Sequence, residues 1–324
     1  MDSVTQILLG AAVADAGFRK TLGGRATIYG GFCGLVPDLD MVMALVDPWA
    51  DLVHHRAWSH AIPIQLACAP LFGWLGHRFG KRVGTVWQWT HLAAWSLVTH
   101  SILDLFTTYG TQVALPFTNA RYAWDGASIV DLVYSAPLLV ALLASWKRAR
   151  PKLMWGALAF TTAYLLFGTW SMTRARDRGV EAMRAEGFSP EHVRALPALL
   201  TNQLFRVVGK RGDDYRIVYV SLLHDAPLEV TSLRSDTDDE VRRVRATERG
   251  EIFDWFADGL VLAERDEEGV TLTDLRFGTP ASPTSKLFAV RSEDGGALER
   301  LPRPEIDTLR ERRALWDALF GASD

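Results

Sequence analysis

Through the first 173 positions apolar residues run in long blocks, and beyond them the pattern breaks into short alternating segments. A helix that spans a membrane needs about 20 largely apolar residues. Five windows approach that: Ala26 to Val46, Trp58 to Gly76, Gly84 to Phe106, Ser128 to Trp146 and Lys152 to Met172. Residues 3–18 predict a further apolar helix, too short to cross, that is expected to pack as a re-entrant or interfacial element. Trp58, Trp87, Trp89, Trp95, Trp146, Trp155 and Trp170 fall near window ends, as an interfacial aromatic belt would place them.

Past residue 173 the spacing changes. "RDRGVEAMRAEGF" and "PEHVRALPALLTNQLFRVV" read as helices, and "YRIVYVSLL", "LEVTSL", "VTLTDLRFG" and "KLFAVRS" alternate as strands. "PEIDTLRERRALWDALF" predicts a closing helix. The fold class is therefore read as mostly α: a multi-pass helical membrane bundle of about five spans plus a short N-terminal helix over residues 1–173, followed by a small soluble α+β domain with an antiparallel sheet over residues 174–324.

Charge sharpens this division. Residues 1–173 hold no glutamate and carry 12 basic against 9 acidic residues, whereas the remainder carries 23 against 29. Basic residues gather in alternate loops, at Arg19, Lys20 and Arg25, at Arg78, Lys81 and Arg82, and at Lys147, Arg148, Arg150 and Lys152. The other loops hold only Arg56 and Arg121, so they are expected to face away from the cytoplasm. By parity the soluble tail follows them to the non-cytoplasmic side, against the three arginines of "TRARDR". The start lacks the basic region and cleavage pattern of a signal peptide, so the first helix is expected to stay on the protein.

Other features are less informative. Cys33 and Cys68 lie singly in apolar runs and read as small buried hydrophobes. The acidic tail argues against nucleic-acid binding, which draws on basic surface. "GGRATIYGG" reads as close helix packing by small residues rather than a phosphate loop.

Ionisable residues within apolar windows are costly and tend to serve function. Three clusters stand out. In "GLVPDLD", Pro37 disfavours helix continuity, and an extended segment after it would turn Asp38 and Asp40 toward one side. In "HHRAWSH", His55 and His60 diverge by about 140° on a regular helix, so joint action needs a turn; Ser59 is placed to cap the next span. In "THSILDLF", His100 and Asp104 stack at i, i+4. Singly these clusters read as a turn, an interfacial histidine and a hydrogen-bonded pair. Together, toward the same ends of successive spans, they point to a metal site.

Imidazole and carboxylate donors without thiolate suit zinc, manganese or iron rather than calcium. A divalent cation of this kind activates water for hydrolysis. The expected ligands are Asp38, Asp40, His55, His60, His100 and Asp104, holding one or two ions, zinc or manganese foremost. Arg56, Asp40 and Asp131 are the catalytic candidates. Arg56 would brace an anionic substrate or contact lipid headgroups, and Asp131 would orient a ligand histidine or cap its helix. The loop "YGTQVALPFTNARYAWDG" would form a lid or rim. His54 is a second choice to His55, and His77, His91, His192 and His224 take no role.

With "MDSVTQILLGA", "PDLD", "HHRAWSH", "THSILDLFTTYGTQVALPF" and "IVDLVYSAPLL", roughly residues 1–145 resemble a family of metal-dependent hydrolases of the bacterial inner membrane. The resemblance implies a membrane-embedded hydrolase whose ligands match the six residues named above. The motif order is also similar to zinc-dependent phospholipase C and single-strand nucleases, which implies a phosphodiester substrate. One departure is Gln6, where many members of that family carry histidine, which bears on the strength of the site or the number of metals.

The leading expectation is thus a hydrolase of an ester or phosphoester bond in a lipid or envelope molecule, acting through metal-activated water, with the bilayer and a small-molecule or lipid substrate as partners. The alternatives are a metal or proton-coupled transporter, against which stands the lack of a second "PDLD"-like segment, and a regulatory protein with a structural metal whose tail recruits a partner.

Overall fold

The apolar windows fold into helices of unequal length. The computed structural model describes residues 1–45, 47–293, 296–302 and 308–321. It contains α1 (Ser3–Gly17), α2 (Arg19–Leu22), α3 (Gly24–Leu35), a 3-10 segment (Val36–Leu45), α4 (Pro48–His54), a 3-10 turn (Trp58–His60), α5 (Ile62–Phe79), α6 (Val86–Leu105), α7 (Leu132–Ser145) and α8 (Pro151–Ala185). Among the described residues, α8 alone is long and apolar enough to cross a membrane.

The five-span bundle expected from the windows is therefore not the observed architecture, and the reasons are local. The chain turns to 3-10 geometry at Val36–Pro37, which stops α3 after 12 residues, about 18 Å of helix. α7 has 14 residues, roughly 21 Å against a hydrocarbon core of about 30 Å. α5 and α6 reach 18 and 20 residues, but polar positions such as Gln65, His77, Arg78, Gln88, Thr90, His91, His100 and Asp104 interrupt their apolar character. The end of the first window, at Val46, lies outside the described residues.

The chain groups into two compact units, Met1–Thr169 and Trp170–Asp324. In the first, α1 packs against α3, α6 and α7. It occupies the interior, with eight of its fifteen residues buried, rather than lying apart as an interfacial element. The Asp2 carboxylate caps it by accepting from the Thr5 amide at 3.0 Å. Glycines let α1 and α3 approach closely: a Cβ on Gly10 would lie 2.3 Å from the Gly30 carbonyl oxygen, and one on Gly34 would lie 2.4 Å from that of Gln6. This bears out the reading of the glycine-rich stretch as helix packing.

Apolar side chains of α1, α6, α7 and α8, among them Leu9, Leu103, Leu138, Met154 and Leu165, form one core cluster of this unit. Tyr29, Cys33, Trp89, Leu92 and Leu97 form another. Trp89 thus belongs to the interior, its indole N–H donating to the Val83 carbonyl, whereas the other six tryptophans of the expected belt are exposed or half-exposed. Cys68, unlike Cys33, is exposed.

The second unit is built on two four-stranded antiparallel sheets, not one. β1 (His192–Pro197), β2 (Leu204–Arg211), β3 (Asp214–Ser221) and β4 (Val230–Arg234) follow in spatial order, and α9 (Asp239–Arg245) and α10 (Glu248–Phe256) precede the second sheet, β5 (Val261–Asp266), β6 (Gly269–Asp274), β7 (Ala289–Ser292) and β8 (Glu299–Arg300). α11 (Thr308–Phe320) closes the described chain. The start of the expected closing helix, 304–307, lies outside the described residues.

Alternation along the strands explains the layering. Phe205, Val207, Val218 and Val220 face the end of α8 through Ala175 and Met183, whereas Val208, Tyr215 and Ile217 pack with Leu260, Leu262 and Leu275 of the second sheet's side. The stretch "PEHVRALPALLTNQLFRVV", expected as a helix, is instead the β1–β2 hairpin, with Ala195 opposite Val207 and Leu196 opposite Arg206. Its Val207 and Val208 are β-branched, and Pro197 would interrupt a helix interior, so hairpin pairing prevails over the helical spacing of its leucines.

Candidate metal centre

Three elements deliver four side chains to one buried point. The 3-10 turn after Pro37 carries Asp38, the short turn Trp58–His60 carries His60, and α6 carries His100 and Asp104 one turn apart on one face. A capping box between Thr85 and Gln88 fixes the start of α6, and the helix then runs 20 residues to place this pair. The loop at 109–126 braces the histidine segment: the Gln112 amide donates to the Arg56 carbonyl, its side chain donates to the Val53 carbonyl, and the Ile62 amide donates to the Val113 carbonyl.

Asp38, His60, His100 and Asp104 are all buried, and one ligand atom from each lies within 4.8 Å of every other. His60 Nε2 stands 3.0 Å from His100 Nε2 and 3.1 Å from Asp104 Oδ2. His100 Nε2 is 3.5 Å from Asp38 Oδ1 and 3.6 Å from Asp104 Oδ2, and Asp38 Oδ1 is 3.9 Å from His60 Nε2. Tetrahedral zinc with bonds of about 2.0–2.1 Å would separate its donors by about 3.3–3.4 Å. The five spacings given lie on either side of that value, so the four side chains could hold a cation.

The tautomers agree. His100 Nδ1 is 2.7 Å from the Gly34 carbonyl, which can only accept, so Nδ1 carries a proton and Nε2 is the nitrogen turned toward the other three side chains. Ser59 donates its hydroxyl to Asp40 at 2.5 Å, leaving an oxygen lone pair for His60 Nδ1 at 2.9 Å. His60 Nε2 is thereby the nitrogen turned inward as well. Two imidazoles and two carboxylates thus meet in a dry interior, with the Arg56 guanidinium and the Met1 amino group beside Asp104. Asp104 Oδ2, moreover, is buried without a well-aligned hydrogen-bond donor.

A family model described as YdjM inner membrane protein matches residues 1–175. The chain belongs to that family. A YdjM-family assignment makes it an inner-membrane protein whose buried group of two aspartates and two histidines could hold a metal ion. Over 130 residues the chain is also 28% identical to the uncharacterized protein YfhP of Bacillus subtilis (strain 168), a match covering 36% of this chain and 38% of that protein. No solved structure matches.

Around the four donors the YdjM-matched region supplies a polar shell. Asp40 stands just outside them: its Oδ1 is 2.7 Å from His55 Nδ1, and its Oδ2 accepts from Ser59 and from the Arg56 amide at 3.0 Å. Burial alone would raise the Asp40 carboxyl, but hydrogen bonds from His55 and His60 outweigh it and hold it well below the usual carboxylate range. Arg56 is buried with φ of 60°, in the left-handed region, where its amide and carbonyl are both bonded. Its Nε lies 3.1 Å from Asp104 Oδ2 and its Nη1 donates to Thr107 Oγ1 at 2.6 Å. The arginine is therefore an interior group, not a headgroup contact.

The expected residues thus separate into tiers. Asp38, His60, His100 and Asp104 converge. Asp40 and His55 form the adjoining pair, and the Val36–Leu45 segment that positions Asp38 and Asp40 is 3-10 rather than extended. Ser59 bridges Asp40 and His60 instead of capping α5. Asp131 caps α7 through the Val133 and Tyr134 amides and accepts from the Tyr164 hydroxyl, with no histidine among these partners. His54 and His91 are exposed.

Gln6, the departure noted in the sequence, lies in the site: its Nε2 donates to Asp104 Oδ1 at 2.9 Å, while its Oε1 is buried without a hydrogen-bond donor. Sequence reasoning missed Ser3, whose hydroxyl donates to Asp38 at 2.8 Å, Thr107, and the Met1 amino group, which contacts Asp104. Only the starting motif "MDSVTQ" hinted at the first and last of these.

Proposed function

We propose that this protein is a membrane-associated, metal-dependent hydrolase of ester or phosphoester bonds. The observation that carries the proposal is the convergence of His60 Nε2, His100 Nε2, Asp38 and Asp104 into a buried set at distances that suit metal ligands. Asp38, His60, His100 and Asp104 would hold the cation, with zinc or manganese best suited to the donors. When bound, such an ion lowers the pKa of coordinated water and polarises a carbonyl or phosphoryl oxygen.

The chain's own groups supply the rest. His55 points Nδ1 at Asp40, so its Nε2 is the nitrogen available to accept a proton from water and return it to a leaving group. His55 and Asp40 side chains are 14% and 11% exposed against 4% or less for the four donors, so substrate approaches from their side. Arg56 places fixed positive charge beside Asp104, where it would offset charge gathering on a phosphoryl or tetrahedral oxygen. Its guanidinium also packs 5.3 Å from the centre of the Tyr109 ring, which together with Thr107 holds it in place.

The test uses full-length protein in lipid nanodiscs, loaded with zinc or manganese and assayed with bis-p-nitrophenyl phosphate and p-nitrophenyl esters. Turnover that disappears in His100→Ala and falls by about 10²-fold or more in His55→Ala, with metal content retained in the latter, supports the assignment. Metal flux into vesicles without turnover of either substrate would replace it with transport.

A further inference from the structure

The second unit carries an apolar collar at one end, and that end is where α8 enters it. α8 is free of charge from Leu153 to Thr173, a length of about 31 Å that matches a bilayer core. Trp170 and Arg174 mark the close of this stretch, the Arg174 guanidinium 5.4 Å above the Trp170 ring. One turn later, Arg178 donates to the carbonyls of Ser221 and His224. Ser221 pairs with Leu204 at the end of the β2–β3 ladder, and the Leu222 amide donates to the Gln203 carbonyl. Beyond that, Gly179 packs on Val207 and Met183 on Gly209, so α8 runs along β2 away from this end.

Exposed large apolar side chains gather here from three other places. Leu199 and Leu200, in the β1–β2 connection, are 52% and 53% exposed, and Leu223, just after β3, is 51% exposed. The C-terminal end of α11 is tied to the same spot, because Ser221 donates its hydroxyl to the Leu319 carbonyl and His224 Nε2 reaches that of Ala318. It brings Trp316 and Phe320, 63% and 49% exposed, with ring centres 4.3 Å apart.

We infer that this end of the second unit seats on the interfacial layer of the bilayer, with Leu199, Leu200, Leu223, Trp316 and Phe320 immersed among headgroups and upper acyl chains. What covers them is lipid because the helix leading into the collar is the one with the length and composition of a span. The Trp and Arg at its end are the residue types that settle at that depth. Amphipathic attachment of this type adds buried apolar area to an existing anchor.

The experiment uses the full chain with Cys68→Ser, which removes the exposed native thiol, reconstituted in vesicles of phosphatidylethanolamine and phosphatidylglycerol. Single variants Leu199→Cys, Leu223→Cys and Phe320→Cys, and Asp213→Cys at the opposite end of the same sheet, carry an environment-sensitive fluorophore. All four positions are exposed, so labelling leaves the fold intact. Strong quenching of positions 199, 223 and 320 by lipids with a doxyl group, with several-fold less quenching by aqueous iodide than at 213, is the expected result. Equal iodide quenching at all four sites overturns the proposal. Protection from iodide without doxyl quenching also overturns it, in favour of a protein partner or a second copy.

Discussion

Asp104→Asn separates what the buried cluster contributes to folding from what it contributes to metal binding. Asp104 accepts from Gln6 on one oxygen and faces Arg56 and His60 on the other, with its side chain fully buried and that of Arg56 only 3% exposed. Removing one partner of a buried ion pair costs about 3–5 kcal/mol, because the charge left behind has neither water nor counter-charge. For a unit of this size 1 kcal/mol corresponds to about 2–4 °C, so Tm should fall by roughly 6–20 °C. Unfolding is followed by tryptophan fluorescence in detergent with a chelator present, so that no bound ion adds to stability. Adding Arg56→Met removes one of the two stranded cations, the Met1 amino group being the other, and should restore part of the loss, yet neither variant should retain zinc through dialysis, as measured by elemental analysis. A double variant no more stable than Asp104→Asn would refute the pairing argument. Zinc retained at the wild-type level by Asp104→Asn would refute the ligand assignment.

Two further outcomes follow from the same geometry. Gln6→His replaces an amide beside Asp104 with an imidazole and should tighten zinc binding by about tenfold, measured by competition with a chromogenic chelator; unchanged or weaker binding would count against Gln6 as the compromised position. Asp40 has a depressed carboxyl pKa, so its stabilising contribution is present above the unfolded value near 3.9 and is lost as pH falls through the lower folded value. Asp40→Asn should therefore be less stable at neutral pH and show a shallower loss of Tm on acidification than wild type; parallel acid profiles would contradict this.

Much of the site could be read from residue types, because chemistry confined to apolar surroundings is conspicuous. His100 and Asp104 needed only helical spacing to be placed together. The relation of Asp38 to Asp40 was harder, since it depends on the kind of turn that follows Pro37, and the two carboxylates end in adjoining networks through a 3-10 path. That His55 stands beside the four converging side chains, its Nδ1 held by Asp40 across 15 positions of chain, is something no local pattern encodes. The fold was less legible. Apolar windows show where the chain avoids water but not where a helix stops, and Val36–Pro37 and the short α7 defeated the count of spans. In the second unit, leucines at helical spacing in 190–208 competed with cross-strand pairing to Val207, Val208 and Val218, and the pairing won.

The carbonyl of Gly34 holds His100 by its Nδ1 proton, whereas His60 is held by the side chains of Ser59 and Asp40. The two imidazoles therefore differ in how they respond to genetic change. No codon substitution at position 34 can delete a main-chain acceptor, so His100 keeps its orientation as long as α3 and α6 stay in register. His60 is open to adjustment one side chain at a time, which makes the 40–59–60 triplet the place where variation among relatives can retune the centre without dismantling it.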